Sequence, residues 1–336
     1  MLYIEPESTD AALHFSVEEC CMERLPPDET AMMLWRTDSC VMLGSNQIAD
    51  AEIDMEEAGR LGISVTRRSS GGGAIFTDLG TLLYSVISPF REGDDPARLA
   101  AERAVGPVVA ALRGLGVDAV AEGRNDILVD GRKISGVAQY IRGNRLCTHG
   151  SLLFRADLDT LARLLRPDSG KISSKALRSV RGRVTNIAEH IRNPGGTPEF
   201  RAELRQALTK PLGLREYRLT EGDSACALRI RDEKYANPAW TFGKAPDFTY
   251  RNAARFQGGR TEVFLRVERG LVRSCRIQGD FLALRPLRGL ESLIEGLDYR
   301  RGAVEDALRG TDLRPFLGSV SRNELLSCMF GGGDGR

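Results

Sequence analysis

Net charge is nearly absent from this chain: 47 basic residues stand against 46 acidic ones over 336 positions. No overall electrostatic pull toward nucleic acid or an anionic membrane follows. The first ten residues are mixed and partly acidic, without an apolar signal core, and no apolar run nears the roughly twenty residues that span a bilayer. A cytoplasmic protein is expected. Cys-x-x-Cys pairs are missing; the seven cysteines are scattered at 20, 21, 40, 147, 226, 275 and 328, and His14, His149 and His190 lie far apart. That pattern argues against a zinc cluster and a disulfide framework, leaving most cysteines as small buried apolar residues. Repeats and low-complexity blocks are absent too. Arginine far outnumbers lysine, so a lysine inside a motif carries weight. The length suffices for a full core and for two domains.

What is present centres on Arg67-Arg68-Ser69-Ser70-Gly71-Gly72-Gly73-Ala74-Ile75-Phe76. Three glycines let several N–H groups converge on an anion, and two preceding arginines supply charge and forked donors. Residues 63–66 read as a strand before the glycines and 82–88 as one after them. The glycines therefore join two sheet elements and open no helix. Neither a P-loop ending nor Gly-x-Gly-x-x-Gly spacing is present. A flexible turn is the plain alternative.

Along the chain, the pattern predicts a helix over 9–24, capped by Thr9 or Asp10 and stopped by Pro26-Pro27. Strands follow at 32–36 and 40–43, then helices at 54–61 and 95–112. Residues 117–154 are strand-rich. Helices are expected over 157–165, 171–186 and 198–208. Gly243 and Pro246 break the periodicity near 240–247, giving domains over 1–246 and 247–336. In the second, strands at 262–268 and 271–277 flank an Arg269-Gly270 hairpin turn. Helices near 287–294, 303–308 and 323–329 follow, then a disordered glycine-rich tail over 331–336.

Further strings accompany the glycine stretch: Val17-Glu18-Glu19, Asp78-Leu79-Gly80, Gly123-Arg124-Asn125-Asp126, Gly131-Arg132-Lys133-Ile134-Ser135-Gly136, His149-Gly150-Ser151-Leu152-Leu153, the run 179–186, and Trp240-x-Phe242-Gly243-x-Ala245-Pro246. In this order, spanning almost the whole chain, they resemble the lipoate–protein ligases of the biotin/lipoate ligase superfamily. The resemblance implies an α/β (α+β) fold: a large catalytic domain on a mixed, largely antiparallel sheet and a small C-terminal α+β accessory domain. It implies that lipoate attacks the α-phosphate of ATP, giving lipoyl-AMP, and that a carrier lysine then takes the lipoyl group. The partners implied are lipoyl-carrier domains of 2-oxoacid dehydrogenase E2 subunits and glycine-cleavage H protein, met by a monomer.

By the same resemblance, Arg68, Gly71, Gly72, Gly73, Ala74, Ile75, Phe76, Asp126 and Lys133 would bind ATP and lipoyl-AMP. Ser70, Lys133, Gly136, Ala138 and His149 would bind lipoate, with Val137 and Leu152 lining an apolar tunnel. Lys133 would be catalytic, stabilising charge on acyl carbonyl and phosphate. Asp126 would hold Mg2+. The bland readings are a solvent-facing strand lysine, a turn aspartate and a structural histidine. Thr77, Thr81, Leu83, Val137 and His14 depart from the family pattern. An ATP-independent lipoyl or octanoyl transferase of the same fold is the alternative. The cysteine nucleophile of the bacterial octanoyl type has no counterpart over 117–125, and Cys147 reads as a buried structural thiol. A biotin ligase lacks its Gly-Arg-Gly-Arg-type loop here, and a non-enzymatic lipoate- or nucleotide-binding regulator lacks a DNA-binding element.

Overall fold

Asp10 starts the first helix by accepting the Ala12 N–H at 2.8 Å, and α1 (Ala11–Arg24) runs to the Pro26-Pro27 stop. Nearly all of α1 from His14 to Met22 is buried, including the adjacent carboxylates Glu18 and Glu19. The computed structural model describes residues 1–47, 49–123, 125–165, 181–242 and 248–330. The helix expected over 171–186, the boundary at 246/247 and the tail therefore fall wholly or largely outside the described residues.

Among the described residues, fourteen strands are numbered in chain order. Eight form one sheet in the order β11-β1-β2-β6-β10-β9-β8-β7. They span Arg215–Glu216, Leu2–Ile4, Ala31–Trp35, Thr81–Pro89, Arg145–Leu153, Arg132–Arg142, Asp126–Val129 and Val120–Glu122 respectively. Only the β11-β1-β2 pairings are parallel, so the sheet is mixed and largely antiparallel. Strand alternation sorts its side chains into two layers. Met33, Trp35, Leu83 and Cys147 face α1, whereas Met32, Leu34, Tyr84 and Leu152 face the helices Gly106–Gly114 and Thr197–Leu212. Phe154 and Phe200 stack there at 4.2 Å.

A second sheet has the order β4-β3-β5, with β3 at Cys40–Leu43, β4 at Ser64–Arg67 and β5 at Ile75–Thr77. The glycine stretch thus passes from one edge strand to the other across the end of β3. Gly44, just beyond β3, leaves room for this crossing: a Cβ there would lie 2.1 Å from the Gly72 carbonyl oxygen. As expected, the glycines join two sheet elements, but the strand they lead into is Ile75–Thr77 and not the one expected at 82–88, which follows it in the other sheet.

The C-terminal unit has its own core around an antiparallel sheet of β12 (Tyr250–Phe256), β13 (Gly259–Glu268) and β14 (Leu271–Gly279). The Arg269-Gly270 turn closes β13 to β14 with positive φ at both residues (52° and 78°). Its residues 281–284 lie on the large unit: Phe281 O accepts the Gly72 N–H at 3.1 Å and Leu284 O the Ile141 N–H at 2.7 Å. Among the described residues, no helix is long and apolar enough to cross a membrane.

Candidate active site

The glycine stretch forms one wall of a cavity of about 130 Å³. Phe15, Trp35, Met42, Ile75, Leu83 and Val137 give it an apolar body, and Gly72, Gly73 and Ala74 lie along one edge. Strand alternation decides which side chains reach it. Ile75 lines the cavity, while Phe76 points into the core behind β3–β5. Leu152, expected in the tunnel, belongs to the opposite layer and packs in the main core; Val137 does line the cavity. Gly71 is turned toward the C-terminal unit, where a Cβ would lie 2.6 Å from the Ala283 nitrogen.

Both arginines serve the loop itself. Arg67 Nη1 donates to the Gly44 and Gln47 carbonyls, and Nε to those of Trp240 and Thr241. Arg68 donates from Nη1 to Met42 O, from Nη2 to Gly71 O and Gly73 O, and from Nε to Ser70 Oγ. Arg68 reaches the cavity wall, yet most of its guanidinium braces loop carbonyls. These bonds hold the loop backbone, so the expected contact of Arg68 with phosphate oxygens would have to be made beside them. Burial pulls both guanidinium groups down to about 10, which leaves them charged at neutral pH.

Lys133 enters from the other side. The β8–β9 pairing shifts register between Ile127 and Leu128, and such a bulge re-aims the side chains beside it. The Lys133 backbone is pinned by Arg183 O and the Thr185 N–H, at 2.8 and 3.1 Å. Its ammonium lies across Gly136, 3.0 Å from where a Cβ would stand, so any side chain there would push it away. It pairs with Asp126 Oδ1 at 2.7 Å, both side chains being 36% exposed. Lys133, Gly136, Ala138 and His149 all line the apolar cavity. Asp126 lines a second cavity of about 270 Å³, which shares Asn125, Val137, Ala138 and Leu282 with the first. The ion pair therefore bridges two adjoining spaces, one apolar and one with a carboxylate in its wall.

Ser70 lies behind the loop, fully buried, in a hydrogen-bonded relay. Arg68 Nε donates to Ser70 Oγ at 3.0 Å, and the same hydroxyl meets His149 Nε2 at 2.6 Å. His149 Nδ1 then donates to Glu18 at 3.1 Å, and Ser85 Oγ donates to the same carboxylate at 2.5 Å. The sequence reading missed Glu18's part in this. Its available signal was an acidic pair on a helix otherwise suited to complete burial.

The sequence profile of the lipoyl protein ligase A/B catalytic domain matches residues 10–209, and that of the bacterial lipoate protein ligase C-terminus matches 245–329. Lipoate-protein ligase LplJ of Bacillus subtilis is 34% identical over 334 residues, covering 98% of this chain and 100% of that protein. Lipoate–protein ligase 1 of Staphylococcus aureus is 32% identical, covering 96% and 97%. The chain belongs to the lipoate–protein ligase family. Among solved structures, Plasmodium falciparum LipL1 in complex with lipoate shares the fold, with a TM-score of 0.77 at 20% identity over 93% of this chain and 94% of that one. Lipoate-protein ligase A bound with ATP has a TM-score of 0.62 at 27% identity over 72% and 98%. A bipartite lipoate protein ligase of Thermoplasma acidophilum, described with its E2 lipoyl domain, has a TM-score of 0.65 at 27% identity over 74% and 98%.

Within this ligase, the departures from the family pattern have local reasons. Thr77 is buried and its hydroxyl meets that of Thr37 at 2.8 Å, away from the cavity. Thr81 closes the Asp78 turn at 3.1 Å. Leu83 and Val137 line the apolar cavity and make its wall greasier. His14 ties the segment before α1 to the residue after β2, since Nε2 faces the Ser8 and Arg36 carbonyls at 2.8 and 3.2 Å and must donate to them. Burial lowers its pKa to about 4, so it stays neutral.

Proposed function

We propose that this ligase couples lipoate to ATP as lipoyl-AMP and passes the lipoyl group to a lysine of a carrier domain. The Lys133–Asp126 pair, on the wall between an apolar cavity and its neighbour, is the observation that supports this most strongly. The acyl chain fits the first space by its apolar lining, and its carboxylate ends beside Lys133. The nucleotide occupies the adjoining side with its phosphates along the Gly72–Ala74 backbone.

A carboxylate oxygen forms a bond to the α-phosphorus, and the bond to the pyrophosphate oxygen breaks. Lys133, facing both groups, offsets charge developing on each. In the second step the neutral carrier amine attacks the acyl carbonyl, AMP leaves, and the amine proton passes to solvent. Asp126 offers one hard carboxylate oxygen, which fits a Mg2+ carried mostly by phosphates and water, and when bound that ion would neutralise phosphate charge. Carrier domains of 2-oxoacid dehydrogenase E2 subunits and glycine-cleavage H protein are the proposed acceptors, with the ligase acting as a cytoplasmic monomer. ATP–pyrophosphate exchange that depends on lipoate is the direct test.

The alternative, covalent transfer through a thiol, meets a specific obstacle. Cys147 is fully buried, and burial together with the Glu18 carboxylate pushes its thiol well above the ordinary cysteine range. Cys147→Ser is expected to keep most ATP-dependent ligation, with any loss traceable to packing in the α1 layer. Intact-mass measurement after incubation with an acylated carrier should show no enzyme adduct. An adduct that vanishes in Cys147→Ser would establish the transferase instead.

A further inference from the structure

Ser69, the loop residue beside Ser70, belongs to a second relay that ends on the neighbouring carboxylate of α1. Glu19 Oε2 accepts from Tyr235 Oη and from Lys234 Nζ, each at 2.7 Å. Since Tyr235 gives its only hydroxyl proton to Glu19, Ser69 Oγ must donate to Tyr235 at 2.7 Å, and Lys234 Nζ must donate to Ser69 at 2.8 Å. The four groups close a ring in which every proton has one direction, and such chains strengthen cooperatively. Lys234 is held from the outside by the Trp240 and Tyr235 rings, 4.5 and 4.9 Å from their centroids. Arg142 takes the other oxygen of Glu19, so the buried carboxylate is compensated. The ring's members come from α1, the glycine loop and residues 231–235, and they meet at the loop's shoulder.

We propose that Lys234 and Glu19 are positioning residues for anion binding at the glycine loop: their ring fixes Ser69, and so sets where the Gly71–Gly73 N–H groups point. The ligand this serves is the polyphosphate of a nucleotide, and the inference rests on the ligase reading above. Glu18, through His149, holds Ser70; Glu19, through Lys234 and Tyr235, holds Ser69. Two successive carboxylates thereby lock two successive serines immediately before the glycines. A preorganised cradle binds phosphate without first ordering itself, so loosening it weakens nucleotide binding more than it slows the bound reaction. The acyl cavity is lined by neither Ser69 nor Lys234, and lipoate affinity is expected to stand.

The test is lipoate-dependent ATP–pyrophosphate exchange on the full chain carrying Lys234→Met, Ser69→Ala, or both. Lys234→Met is expected to raise KM for ATP about tenfold, the scale of a lost charge-assisted hydrogen bond, with kcat and KM for lipoate within about twofold of the parent. Ser69→Ala should move KM in the same direction, and the double variant should lose little more than the worse single one, because both act through one ring. Should Lys234→Met fail to fold, Ser69→Ala decides alone, since it removes one oxygen at a half-buried position. A folded variant with parental KM for ATP, or equal losses for ATP, lipoate and kcat, overturns the proposal. Absence of exchange in the parent protein would instead remove the ligase reading.

Discussion

Lys133→Ala should abolish lipoyl-AMP formation while the protein remains folded. The ammonium contributes a half-exposed ion pair with Asp126, and pairs of that exposure are worth about 1 kcal/mol or less to stability. On the proposed reading, its position between the two cavities, over the bare backbone of Gly136, is where charge would develop as the carboxylate meets the α-phosphorus. Loss of such a preorganised charge typically costs on the order of a hundredfold or more in rate. Single-turnover pyrophosphate release, read beside a thermal melt, checks both halves. Near-parental release by a folded Lys133→Ala protein would take the residue out of the chemistry.

Gly72→Val should damage nucleotide binding far more than stability. Gly72 has φ +92°, and a Cβ there would stand 3.1 Å from Leu282 Cδ2 and 3.2 Å from Arg68 Nη2. A branched side chain would leave that conformation, at about 1–3 kcal/mol if held in it, and project into the space assigned to phosphate. A fall of about two orders of magnitude or more in ATP affinity is expected by calorimetry. Gly73→Ala is the stability control: nothing lies within 4 Å of its would-be Cβ, so its melting temperature should match the parent's. Unchanged ATP affinity in Gly72→Val would reduce the loop to a turn.

Much of the fold was legible because it follows from local rules. The α1 helix runs from Asp10 to its proline stop as the cap and Pro26-Pro27 dictate, and the Arg269-Gly270 hairpin sits where turn chemistry places it. The glycine stretch was recognisable as a strand-to-strand connection, although the strand expected after it, 82–88, is not the one it enters. Shorter or weaker signals were lost. Leu2–Ile4 and Ile75–Thr77 have three residues each, too few to show a period, and Tyr250–Phe256 alternates with arginine and alanine in place of a strong apolar series. Helix Glu221–Ile230 was missed although Thr220 and Asp223 form a full capping box.

At the site, residue identity was easier to read than residue duty. Gly136, Ala138, Lys133 and His149 converge on one cavity, as the resemblance implied. Arg67 and Arg68 read as a source of positive charge and forked donors, and nothing in a sequence shows which carbonyls a guanidinium will find. Leu152 was placed in the tunnel on neighbourhood alone, and strand alternation puts it in the other layer. The contact between Gly72 and Phe281 joins residues more than two hundred positions apart, beyond any local pattern. On the proposed reading, anion binding at that N–H would require Phe281 O to let go, and the C-terminal unit and the nucleotide would compete for one donor.

Adenylation by Lys133 beside the glycine loop is the central claim, and lipoate-dependent exchange of radiolabelled pyrophosphate into ATP tests it most directly. The parent protein, without any carrier, should exchange label only when lipoate is present, and Lys133→Ala should not. Label-free ATP alongside lipoyl transfer from an acylated carrier in the absence of nucleotide would contradict the account.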